Sequence, residues 1–137
     1  AILAHGIMSI GAVKAVEIGD GVNVTYALGS ENNDSFINSN GNIKKATNHS
    51  GGILGGISDG SNILVRASFK PTPSIFKEQQ TVDKNSREIS LSIKGRHDPI
   101  IGPRAVVVVE SMCAISILDL MMENAIAKLD NLIKVYS

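Results

Sequence analysis

Residues 105–122 form the longest apolar stretch of this 137-residue chain, and it constrains the fold more than any other feature. Only Glu110 and Asp119 interrupt it with charge. They stand nine residues apart, so at roughly 100° per residue they point to opposite faces of a helix. No face is then free of charge as a lipid-facing surface would require, and the stretch is expected to be a buried core helix rather than a membrane span. Pro99 and Pro103 precede it and fix its entrance, which predicts a helix from near Arg104 to about Asn124. The following "AKLDNLIKVY" extends that helix or forms a short tail helix.

Upstream, the periodicity changes from helical to alternating. Residues 1–10 read as a helix end broken by Gly11. "AVKAVEIGDG" reads as a strand ending at Gly19-Asp20-Gly21, and residues 22–28 as a second strand. The polar, glycine- and asparagine-rich residues 29–50 read as a long loop. Asp59-Gly60 is a hairpin turn signal. After it, Ile63, Val65, Ala67 and Phe69 alternate with other side chains as a one-faced strand does. Pro71 and Pro73 end that strand, and "REISLSIKG" repeats the alternation with Ile89, Leu91 and Ile93. Strands followed by a long helix, without βαβ alternation, predict an α+β fold with a largely antiparallel sheet.

Composition excludes some functions. With 13 basic and 13 acidic residues the net charge is zero, which argues against a nucleic-acid binder with a broad basic face. Aromatic residues at 4% leave little for base stacking. The lone Cys113 allows no disulfide framework and fits a reducing cytoplasm. The N-terminus lacks a secretory signal pattern and an initiator methionine, as expected of a processed product or a fragment.

Three segments can carry chemistry. In "NHSGGILGGISDG", Gly51, Gly52, Gly55, Gly56 and Gly60 let backbone approach a flat or anionic ligand, or simply build a bulged hairpin. The segment fits neither a Walker loop nor G-x-G-x-x-G. In "FKPTPS", Lys70, Thr72 and Ser74 offer a cation and two hydroxyls on a proline-stiffened rim; a plain turn is the alternative. In "KGRHDPIIGPR", Arg96 offers a planar fork for carboxylate or phosphate. Beside it, Asp98 offers an acceptor with a stabilised charge and His97 a general acid or base. The competing reading is a surface ion cluster at a helix entrance. His5 and His49 lack ligand-like spacing, so no metal site is expected. No Gly-x-Ser-x-Gly elbow is present.

Taken in order, "MSIGAVKAVEIGDG", "GSENND", "NHSGGILGGISDG", "VRASFKPTPSI", "QQTVD" and "GRHDPIIGPRAVVVVESMCA" resemble the chorismate synthase family over nearly the whole chain. Members are more than twice as long, so the resemblance is to the C-terminal part. Where the family usually has histidine in the Gly-Ser-Glu block, Asn32 stands here. The resemblance implies anti-1,4-elimination of phosphate from 5-enolpyruvylshikimate 3-phosphate to give chorismate. Reduced FMN is required although there is no net redox change. It implies a cytoplasmic homotetramer of aromatic amino-acid biosynthesis, and leaves open whether the enzyme reduces its own flavin with NADPH. It assigns flavin contacts to Gly11, Ala12, Gly55, Lys70, Pro71, Thr72, Pro73, Ser74 and Arg96. Asp98 matches the aspartate near flavin N5. The family's two catalytic histidines, and most arginines for the substrate's anionic groups, fall outside this chain; His5, His49 and His97 receive no such role.

Overall fold

The computed structural model describes residues 1–97 and 100–137. In chain order come α1 (Ile2–Met8), β1 (Val13–Ile18), a 3-10 turn (Gly21–Tyr26), β2 (Phe36–Ser39) and β3 (Asn42–Lys45). Next are β4 (Ile53–Leu54), β5 (Ile57–Ser58), β6 (Val65–Phe69), β7 (Gln79–Val82) and β8 (Glu88–Leu91). Two helices close the chain, α2 (Gly102–Ile126) and α3 (Leu129–Tyr136). The α+β class holds, and every described pairing is antiparallel. The strands form four two-stranded ribbons, β1–β6, β2–β3, β4–β5 and β7–β8, rather than one sheet.

The β1–β6 ribbon joins distant parts of the chain, pairing Val13 with Phe69 and Ile18 with Val65, with a bulge between Val13 and Ala15. Its β6 strand keeps the alternation read from sequence: Val65, Ala67 and Phe69 are half-buried while Arg66 and Ser68 are exposed. Leu3 and Ile7 of α1 and Val13 of β1 are the large apolar side chains buried among the described residues, Ile7 fully. Helix α1 packs on α2 through Gly6, where a Cβ would lie 2.7 Å from Ser116 Oγ and 3.3 Å from Met112.

Several expectations are corrected. Residues 22–28 are not a strand. The backbone N–H of Val22 donates to Glu17 Oε1 at 2.9 Å, and the Thr25 hydroxyl to the Val22 carbonyl at 2.8 Å. These local bonds wind a 3-10 turn where no partner edge is offered. The loop read over residues 29–50 contains the β2–β3 hairpin, turned by Asn40 and Gly41 at φ 54° and 82°. Both angles are those of the two-residue turn that Asn-Gly favours. Asp59-Gly60 does not turn a hairpin: Gly55 and Gly56, at φ 60° and 82°, turn β4 into β5, and β6 pairs with β1.

Helix α2 is not a buried core helix within this chain. Ser116 is its one buried residue, and Val106, Val107, Ile115, Leu118 and Met121 are each more than half exposed. Helix α1 is short and covers a single stripe of it. By length and composition alone, α2 is long and apolar enough to cross a membrane.

Candidate functional site

The rim segment follows β6 directly. Pairing of β1 with β6 carries Phe69 to Val13, and the backbone N–H of Lys70 then donates to the Ala12 carbonyl at 2.7 Å. Gly11 and Ala12 thus form one corner with Lys70. Ala12 is held at φ 69°, a left-handed conformation that a non-glycine residue adopts only under constraint. A side chain on Gly11 would meet open space, so the corner is accessible.

Pro71 and Pro73 are exposed, and Thr72 and Ser74, each following a proline, are half-buried. The Thr72 hydroxyl is buried and finds no hydrogen-bond partner among the described residues. Such an orphan costs about 1–3 kcal/mol unless something bonds to it. Beyond Ser74, Phe76 meets the His97 ring edge-on, with centroids 4.5 Å apart and planes at 88°. The Ser92 hydroxyl donates to the Phe76 carbonyl at 3.0 Å, and His97 Nε2 lies 3.0 Å from the Ile93 carbonyl. These contacts hold His97, the neighbour of Arg96, against Phe76; Arg96 itself is exposed. A cleft of about 520 Å³ lies between Ala67 and Phe69 of β6 and Gly102, Ala105 and Val106 of α2. Asp98 lies outside the described residues.

Gly55 is placed elsewhere. Its hairpin springs from the Gly19 end of the β1–β6 ribbon, opposite the Ala12–Lys70 corner: the Gly19 N–H donates to the Leu64 carbonyl and the Leu64 N–H to that of Gly51. A Cβ at Gly55 would meet open space. A second cleft, about 500 Å³ and mostly apolar, runs beside Gly56 between α1 and the C-terminal half of α2.

The strongest polar cluster is one the sequence did not reveal. Asp34, with a side chain 2% exposed, accepts the Thr47 hydroxyl at 2.7 Å and the His49 N–H at 2.8 Å. It also accepts the Ser50 hydroxyl at 2.7 Å and the Ser50 N–H at 3.0 Å. Burial opposes its charge, but the bonds from Ser50, Thr47 and His49 outweigh that and hold its carboxyl well below the usual carboxylate range. Lys45 Nζ donates to Asp59 at 2.7 Å, Ser50 at 2.8 Å, Asn48 at 3.1 Å and Asp34 at 3.3 Å. The bond to Asp59 raises the Lys45 pKa and lowers that of Asp59. Nearby, His49 Nδ1 lies 2.6 Å from Asp20 Oδ2. Nothing in the spacing of Asp34, Lys45 and Asp59 signals a cluster, because the β2–β3 hairpin is what folds Lys45 back onto Asp34.

Residues 1–122 match the family described as Chorismate synthase. The chain belongs to the chorismate synthase family. It is 62% identical over 135 residues to a chorismate synthase of Lachnoclostridium phytofermentans, covering 98% of this chain and 37% of that protein. A chorismate synthase of Archaeoglobus fulgidus is 54% identical over 123 residues, covering 89% of this chain and 34% of that protein. A crystal structure of chorismate synthase superposes with a TM-score of 0.68 at 31% identity, covering 90% of this chain and 30% of the other. The chain therefore spans little more than a third of the length of the curated relatives it matches. The fold brings Ala12 and Lys70 together and sets Phe76 against His97, while Gly55 stands at the far end of the ribbon.

Proposed function

We propose that the chain is the C-terminal part of a chorismate synthase, a lyase of aromatic amino-acid biosynthesis acting in the cytoplasm as a homotetramer. The full-length enzyme removes phosphate and a proton from 5-enolpyruvylshikimate 3-phosphate. Reduced FMN, when bound, supplies electron density as the phosphate leaves and recovers it afterwards.

This chain's own residues provide the cofactor's setting. Lys70 and Arg96 are exposed cations that would favour the electron-rich ring system and the developing phosphate charge. Gly11 and Ala12 let backbone approach the ring closely; Gly55, at the far end of the ribbon, is assigned to the cofactor by the family resemblance. Pro71 and Pro73 stiffen the rim, and Thr72 and Ser74 present hydroxyls to it. Asp98 handles the proton at flavin N5 as a general base.

The observation that carries the cofactor reading is the Thr72 hydroxyl, a buried polar group left without a partner among the described residues. A bound flavin's polar edge is the kind of group that would satisfy it. The test is Thr72→Val in the full-length protein, a near-isosteric change that removes only the hydroxyl. Anaerobic titration with reduced FMN should show about a fivefold loss of affinity, the equivalent of about 1 kcal/mol. Thermal stability should hold or rise, because an unsatisfied buried group has been removed. Unchanged affinity would take Thr72 out of the site.

A further inference from the structure

We propose that Lys45 is a positioning residue: its single ammonium ties both roots of the β4–β5 hairpin to the buried Asp34 and so fixes where the glycine turn is presented. On one side of the hairpin, Lys45 Nζ donates to Asn48 Oδ1 and Ser50 Oγ. On the other it donates to Asp59, the residue directly after β5. The base is closed by the Asp59 N–H donating to the Gly52 carbonyl at 3.0 Å, and by the Gly52 N–H donating to Asn48 Oδ1 at 2.8 Å. The hairpin itself has only two residues in each strand, too few to hold a fixed position alone. With its side chain 4% exposed, Lys45 neutralises the carboxylates of Asp34 and Asp59 where water has little access. Removing it leaves Asp34 and Asp59 facing each other unneutralised, and both roots open together.

The inference rests on the reading that the hairpin's Gly55 lies against reduced FMN. If loss of Lys45 lowers the correctly placed fraction of the hairpin to about a tenth, the apparent Kd rises about tenfold. The experiment uses full-length protein carrying Lys45→Met, with Asp59→Asn as a milder variant at a less buried position should Lys45→Met fail to fold. Two quantities are read: amide exchange at His49, Ser50, Gly52 and Asp59 without ligand, and the Kd for reduced FMN under anaerobic conditions. The expected result is faster exchange at those amides, an unchanged β1–β6 ribbon, and a Kd raised about tenfold in Lys45→Met and less in Asp59→Asn. Unchanged exchange at the four amides in the variants that fold overturns the proposal, as does uniform loss of protection across the ribbon. Faster local exchange with wild-type affinity overturns it as well, reducing the cluster to local stability. In those three cases the cofactor reading stands. A wild-type protein that binds no reduced FMN overturns the cofactor reading itself, and this inference with it.

Discussion

A carboxylate taken almost wholly out of water survives as an anion only if its lone pairs are filled. Asp34 meets that condition with donors from Thr47, His49, Ser50 and Lys45. Because its folded pKa is depressed, its contribution to stability is present above the ordinary carboxylate range and is lost as pH falls through and below that range. Lys45, raised from 10.5, contributes fully below its unfolded pKa and loses that contribution as pH climbs past it. Protection factors at His49 and Ser50 should therefore stay flat from neutral pH down to about 4 and fall progressively below it. Flat protection to pH 2 would show that the Asp34 charge does not hold this loop. None of this was legible beforehand. Asp34 reads as one more polar residue in an asparagine-rich stretch, and its partners lie 11 to 16 positions away along the chain. The rim segment stands out in the sequence because its polar groups are contiguous: Lys70, Thr72 and Ser74 are spaced by prolines.

At the scale of elements, a close-packed glycine pair and a turn glycine do different work. Gly19 and Gly51 lie back to back: a Cβ on Gly51, at φ 61°, would come within 2.3 Å of the Gly19 nitrogen. Gly55 has a similar φ of 60° but open space where a Cβ would go. Gly51→Ala adds a backbone clash to the left-handed penalty and should cost on the order of 2–5 kcal/mol. Gly55→Ala should cost about 1–2 kcal/mol from the penalty alone. Denaturant unfolding of the full-length variants separates them, and equal costs would refute this account of the close approach. The same contrast explains what the sequence could convey. Alternation along β6 was readable because one strand face is covered locally. The β2–β3 hairpin carries an Asn40-Gly41 signal that the surrounding polar residues obscured. Residues 22–28 have strand-forming side chains, but strand character needs a neighbouring edge, and none is offered.

The whole molecule exposes far more surface than its mass warrants. A compact monomer of 14.5 kDa should expose roughly 6,900 Å², against the 10698 Å² found here. The excess, roughly 3,800 Å², is several times one partner's share of a standard protein interface. Part of it is apolar surface on α2, which the sequence does not mark as exposed, because burial of that helix depends on cover this chain does not supply. The 137 residues expressed alone should therefore associate or aggregate rather than run as a sharp monomer with a cooperative melt. Sedimentation velocity alongside calorimetry would decide it; a monomer melting in one cooperative step would count against the reading of a part. The central claim, that these residues belong to a reduced-flavin lyase, is tested most directly by anaerobic single-turnover assay of the full-length protein with 5-enolpyruvylshikimate 3-phosphate and pre-reduced FMN. The account predicts chorismate and phosphate released in equal amounts, no product with oxidised FMN, and a loss of roughly 10²–10⁴-fold in rate for a folded Asp98→Asn variant. Turnover without reduced flavin, or none with it, would contradict the claim, and a near-wild-type rate in Asp98→Asn would remove Asp98 from the chemistry.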